Sequence, residues 1–169
     1  MEFRARTPLR ISFAGGGTDV SPYSDRYGGA VLCCTIDKFA YSSLVPNKTN
    51  TIKLHAKDLK IKEILRTKGK AFDLEYGKGP DLLKSMIKIM NPTKKGFEIM
   101  TWCDVPPGSG LGASSAMMIS QISSLSEYLG KKLPTYELAN LAYKIEREEL
   151  KIKGGLQDQY ACTFGGFNF

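Results

Sequence analysis

Residues 103–129 read as a strand, a glycine turn and a small-residue helix, through Pro106-Pro107-Gly108-Ser109-Gly110-Leu111-Gly112-Ala113-Ser114-Ser115-Ala116. Glycine lets a backbone turn sharply and approach a ligand closely. The helix that follows offers unpaired N–H groups and the positive end of its dipole. Together these features predict an anion site suited to phosphate. The turn has no Lys of the Walker A kind, so it is not the common P-loop. It is not a Rossmann fingerprint either, because that needs a strand ending in an acid about 20 residues on, where this chain still reads as helix. The plain alternative is a turn that merely starts a helix. Three alternating glycines, two prolines before them and two serines at the helix start favour phosphate.

The 169 residues suffice for one domain with a sizeable core. No apolar run nears the roughly 20 residues that span a bilayer. Met1-Glu2-Phe3-Arg4 leads straight into a strand pattern, with no signal peptide. Cys33, Cys34, Cys103 and Cys162 have neither metal nor redox spacing, and predict free thiols in a reducing, cytoplasmic setting. The net charge of +7 is concentrated in residues 48–95, which hold thirteen Lys or Arg against five Asp or Glu. These lysines are mostly isolated and carry no nucleic-acid motif, so a solvated surface is favoured over help for a phosphorylated substrate or nucleic-acid binding.

Leu9, Ile11 and Phe13 alternate with polar residues as a half-buried strand that runs into Gly15-Gly16-Gly17. Residues 30–34 and 39–45 read as further strand, with a weak hairpin signal at Asp37-Lys38 and a stop at Pro46. Strands are expected at 51–56 and 96–103 and a helix at 80–90. The helix after the glycine turn should span about 113–129, with Met118, Ile122, Leu125 and Leu129 on one face and Gly130 as its stop. Its serines suggest close packing. The next helix should start at Thr135 as N-cap and run to about Leu150, with Leu138, Leu141, Ala142 and Ile145 inward. Strands that precede and interleave with helices give the α+β class in two layers.

Three segments carry a resemblance. The glycine turn resembles the second motif of the GHMP kinases, whose P-x-G-x-G-L-G/S-S-S loop wraps ATP phosphates. Pro8-Leu9-Arg10-Ile11-Ser12-Phe13-Ala14-Gly15-Gly16-Gly17-Thr18-Asp19 resembles their first, sugar-binding motif. Gly154-Gly155-Leu156-Gln157-Asp158-Gln159-Tyr160-Ala161 resembles the segment with the catalytic Asp of their sugar kinases. The first motif and the ending Phe164-Gly165-Gly166-Phe167-Asn168-Phe169 are most similar to the heptose 7-phosphate kinase branch. The resemblance refines the fold to a GHMP kinase N-terminal domain over residues 1–169, ribosomal protein S5 domain 2-like, a mixed sheet backed by helices.

The resemblance also implies roles. Pro107, Gly108, Ser109, Gly110, Leu111, Gly112, Ala113, Ser114 and Ser115 would hold ATP. Ser114 matches a magnesium ligand, against the alternative that it or Ser115 only caps a helix. Glu146 corresponds to the magnesium glutamate. It also follows Leu138 and Ala142 at steps of four, on the row bordering the buried face, where a carboxylate needs a partner. Glu148 and Glu149 are its neighbours in contention, Glu149 more strongly because it continues the row of Ile145. Asp158 matches the base that deprotonates the sugar hydroxyl. Arg10 matches a cation near it, able to favour the ionised carboxylate and steady the transferring phosphoryl group. Asp19, with Gly16, Gly17 and Thr18, matches the sugar-binding stretch. Gly15-Gly16-Gly17 in place of bulky polar residues argues against galactose and for a larger sugar. His55, the only histidine, reads as structural.

The implied activity is transfer of the ATP γ-phosphoryl group to the anomeric oxygen of D-glycero-D-manno-heptose 7-phosphate. Fucose and galactose kinases, and a nucleotide-binding module without catalysis, are the competing readings. The family continues beyond this length into a C-terminal domain absent here, which leaves an apolar face expected to bind that domain or a second copy. No membrane or nucleic-acid partner is expected.

Overall fold

The computed structural model describes residues 1–68, 71–72, 74–77, 79–90 and 96–169, with backbone alone at 67–68 and 71–72. In chain order the elements are β1 (Phe3–Ala14), a 3-10 turn (Gly16–Asp19), α1 (Tyr23–Tyr27), β2 (Leu32–Pro46), β3 (Thr51–Ala56), β4 (Ile61–Lys68), β5 (Ala71–Phe72), α2 (Asp81–Met90), β6 (Phe97–Cys103), α3 (Ala113–Leu129), α4 (Thr135–Tyr143), a π-helical turn (Lys144–Glu149), α5 (Gln157–Phe164) and β7 (Phe167–Asn168).

The strands form one mixed sheet in the order β1-β2-β6-β3-β4-β5, and β7 pairs with β2. Only β3 and β6 run parallel among the described strands; the other pairs are antiparallel. Leu9, Leu44, Ile52, Leu54, Phe97 and Ile99 point from the sheet into the core. Met86 and Ile87 of α2, with Met118, Ile122 and Leu125 of α3, meet them from the helical layer. This is the expected α+β, two-layer arrangement. The small residues of α3 bring it close to the sheet: the Ser124 and Ser42 hydroxyls are 2.7 Å apart. α3 ends at Gly130, which is left-handed (φ 68°) and donates its N–H to Glu127 and Ser126 carbonyls. No helix among the described residues is long and apolar enough to cross a membrane.

Several local expectations are corrected. There is no hairpin at Asp37-Lys38; β2 is one strand of 15 residues. Its register against β1 jumps from Pro8–Phe39 to Arg10–Thr35, so residues 36–38 of β2 oppose Leu9 alone. A bulge of this kind leaves its extra residues outside the ladder, which suits an exposed Asp–Lys pair as well as a turn does. Thr135 is not an N-cap: Pro134 holds that place, and no side chain caps the helix. Strand β4 was not expected. Of its described side chains only Leu65 is buried, and Ile64 is 56% exposed, so the usual alternation is faint.

Of the basic side chains described in 48–95, Lys48, Lys53, Lys57, Lys60, Lys62, Arg66 and Lys88 are exposed, as a solvated surface requires, and Lys84 alone is buried. Lys84 is 1% exposed; its ammonium binds Glu63 at 3.0 Å and the Glu75 carbonyl at 2.6 Å. Lys53 pairs with Glu98, Lys57 lies over the Trp102 ring, and Lys88 pairs with Glu149. Lys70, Lys78, Lys94 and Lys95 lie outside the described residues. His55 contacts Glu98 at 3.3 Å from within β3, a structural position. The four cysteines are free; Cys33 and Cys162 are buried, and burial pushes the thiols of Cys33, Cys103 and Cys162 up.

Candidate active site

The glycine loop lies between β6 and α3. Gly108, Gly110 and Gly112 all have φ between 73° and 79°, alternating with Ser109 and Leu111. That left-handed conformation is costly for other L-residues, so the alternation explains the three glycines. Successive turns of this kind point backbone N–H groups into a shared concavity, which suits an anion at the start of a 17-residue helix. The loop is docked on β1: the Arg10 backbone N–H donates to the Leu111 carbonyl at 3.0 Å. The Arg10 Nη1 donates to the Gly110 carbonyl at 2.8 Å. A side chain at Gly112 would press on the Arg10 side chain.

Arg10 also reaches Asp158. Its Nε donates to Oδ1 at 2.8 Å, and its Nη2 lies 2.6 Å from the same oxygen. Asp158 sits in the first turn of α5, where a negative charge is favoured by the helix dipole. Its carboxylate does not cap that helix. That task falls to Asp19, whose Oδ2 accepts the Gln157 backbone N–H at 2.7 Å. The cationic and acidic residues matched from distant motifs are therefore a charge pair, joined to the glycine loop by the same guanidinium.

The second acid is Glu146. It is 1% exposed. Ser114 Oγ donates to its Oε1 at 2.8 Å, while Ser115 Oγ and Gln159 Nε2 donate to its Oε2 at 2.7 and 2.6 Å. Hydrogen bonds to a charged group contribute about 1.5–3 kcal/mol each. All three donors are neutral, so this buried carboxylate has no cationic partner among the described residues. Ser115 is buried, whereas Ser114 is exposed at the cavity. Glu146 faces inward from the π-helical turn, whose wider winding shifts the residues after Tyr143 relative to a plain α-helix. Of its neighbours, Glu149 is bound to Lys88 at 2.5 Å and accepts the Tyr76 hydroxyl at 3.2 Å; the Lys88 bond lowers its pKa. Glu148 is exposed.

Arg10, Ser114, Ser115, Glu146 and Asp158 line one cavity of about 330 Å³, and Gly16, Asp19, Arg147, Lys153, Gly155 and Gln157 are among its other walls. Gly16 and Asp19 are thus brought to the site. Gly17 and Thr18 are not in its wall. The Thr18 hydroxyl is held by the Gly15 carbonyl (2.7 Å) and the Ala30 N–H (3.1 Å), so it ties the turn together. A Cβ on Gly155 would collide with the Asp19 backbone oxygen and carboxylate. Gly155→Ala should displace Asp19 from the start of α5 and lower stability by about 1–3 kcal/mol, read as a reduced Tm.

A second cavity, of about 360 Å³, was missed by the sequence reading. Leu82, Leu83, Val105, Pro107, Met117 and Ile152 make it apolar, and Gln121 stands on its wall. Ser114 and Ile152 border both cavities, so the glycine loop lies where the two meet. Its lining comes from β3, α2, β6, α3 and the turn after α4, a set with no shared sequence signal beyond apolarity.

A family profile described as GHMP kinases N terminal domain matches residues 81–166. The D-glycero-alpha-D-manno-heptose 7-phosphate kinase of Campylobacter jejuni is 43% identical, over 98% of this chain and 49% of its own length. A mevalonate kinase of Thermococcus sibiricus is 26% identical, over 99% of this chain and 51% of its own length. Among solved structures, a D-glycero-D-manno-heptose 1-phosphate kinase from Bacteroides thetaiotaomicron superposes with a TM-score of 0.90 at 40% identity, over 99% of this chain and 55% of that one. The chain spans about half the length of the curated relatives it matches.

Proposed function

This chain belongs to the GHMP kinases, and on that premise we propose that it forms the ATP- and sugar-binding part of a kinase for D-glycero-D-manno-heptose 7-phosphate, acting at the anomeric oxygen. The observation that carries the reading is the convergence of two acids on one cavity: Asp158 held by Arg10, which also binds the glycine loop at Gly110, and Glu146 held by Ser114 in the helix that follows the loop. Phosphoryl transfer asks mainly for positioning and charge stabilisation, and this arrangement supplies both.

In this reading the apolar cavity takes the adenine, and the loop from Pro107 to Ser115 takes the phosphates on its N–H groups. The sugar enters the polar cavity, with Asp19 and the open space at Gly16 receiving its hydroxyls. Asp158 accepts the proton of the attacking hydroxyl. Arg10 orients that carboxylate and, through Gly110, keeps it in register with the phosphate loop. Its positive charge also favours the transferring group.

The site fits magnesium. Ser114 Oγ and Glu146 provide hard oxygen donors, and the buried carboxylate calls for a positive charge that no described residue gives. No group of three or more His, Cys, Asp or Glu gathers among the described residues, so most ligands would come from phosphate and water. When bound, the metal would neutralise charge on the phosphates. Ser115 and Gln159 hold the Glu146 carboxylate in place through its Oε2.

A second domain, as in relatives of twice this length, would cover the apolar surface where Phe13 and Phe167 stack at 6.2 Å between ring centres. The test of function is a coupled ADP-release assay of the full-length protein against a sugar panel. Turnover of heptose 7-phosphate is expected. Turnover of fucose or galactose with none of the heptose phosphate would overturn the substrate, and nucleotide binding with no turnover of any sugar would favour a binding module.

A further inference from the structure

We propose that Gln121 selects adenine, by pairing its amide with the 6-amino group and an adjacent ring nitrogen of the base. The inference rests on the apolar cavity being the base site, and goes beyond it in naming the residue that reads the base. Gln121 lies on the inner face of α3, two turns beyond Ser114, and is 2% exposed. It lines the cavity, yet its Oε1 accepts no hydrogen bond. A buried amide left in that state costs stability in the free protein, and native structures rarely carry one without a reason.

The surroundings point to the base as the missing partner. Most of the wall is apolar and grips a flat ring by contact alone, which does not distinguish one base from another. Asp58 and Asp81 also reach the wall, and Asp81 Oδ1 is likewise without a partner, but an ionised carboxylate only accepts and so meets the amino group of a base without its ring nitrogen. Among the described lining residues Gln121 alone carries a donor and an acceptor side by side in one plane. Adenine presents a matching amino donor and ring-nitrogen acceptor, the pairing that Gln makes with adenine in nucleic-acid recognition. On the same N7 edge guanine carries two acceptors, N7 and the oxygen at position 6, so the amide oxygen finds no donor there in either orientation of the amide.

Calorimetry with magnesium tests this on the full protein that carries the chain. The probes are ATP, GTP and the ATP analogue with hydrogen in place of the 6-amino group. Wild type should bind ATP about tenfold or more tightly than the analogue, the effect of one buried hydrogen bond. Gln121→Leu should bind the two alike, and should melt no lower than wild type without ligand, since it removes an unsatisfied amide. If that variant does not fold, Gln121→Met, unbranched and of similar length, is read by the same ratio. A variant that retains the wild-type preference for ATP over the analogue overturns the assignment of Gln121 alone. Wild type that binds no nucleotide overturns the kinase reading together with it.

Discussion

Asp158→Asn should lower kcat of the full-length enzyme by roughly 10²–10⁴-fold, the usual worth of a placed general base. Asparagine keeps the size of the side chain and an oxygen for Arg10, but it does not take a proton. Both Arg10 contacts fall on Oδ1 of Asp158. The carboxylate is therefore oriented from one side, and the other oxygen is available to a sugar hydroxyl. KM for MgATP should change little, because the loop from Gly108 to Ser115 is untouched. An interaction made only in the transition state lowers kcat and kcat/KM together, and steady-state kinetics varying each substrate reads that pattern. Near-normal kcat in Asp158→Asn would leave Asp158 as a structural partner of Arg10.

Glu146→Gln should act on metal dependence instead. The substitution removes the one negative charge at the centre of Ser114, Ser115 and Gln159 and sets an NH2 group against their donors. Apparent magnesium affinity should fall about 10–100-fold, as when a supporting group of a metal site is lost. Raising magnesium should recover much of the rate, which it would not do for Asp158→Asn. Ser114→Ala, losing a single oxygen, should show the same defect in weaker form as a raised KM for MgATP. A magnesium titration of Glu146→Gln that overlays wild type would reduce Glu146 to a packing role.

Features that depend on near neighbours were legible from the chain itself. The alternation of Gly108, Gly110 and Gly112 demands left-handed backbone, and α3 with its stop at Gly130 follows from spacing of apolar residues. The joining of Arg10 to Asp158 was not legible in that way, since no periodicity links residues so far apart; the resemblance supplied it. Glu146 stood between the two: its step from Leu138 and Ala142 placed it at the buried border, while the π-helical turn that aims it has no residue signature. The bulge in β2 was misread because an exposed Asp37-Lys38 pair suits a turn or a bulge equally. Lys84 was misread because composition treats lysine as solvated, and only the tertiary fold brings Glu63 and the Glu75 carbonyl around it. Thr18 was counted with the sugar-binding stretch by adjacency, although its hydroxyl is spent within the turn.

The Arg10–Asp158 pair spans 148 positions, and this separation bears on how the protein comes into being. A contact of such range has to close a long loop, so it raises the contact order and forms slowly relative to local helices. During translation the glycine loop and α3 emerge well before α5. A nascent chain halted ahead of residue 158 therefore holds the glycine loop with the Arg10–Asp158 pair still unmade. Acceptance of a sugar proton, on the reading given above, begins only when α5 has been made and has folded back onto β1.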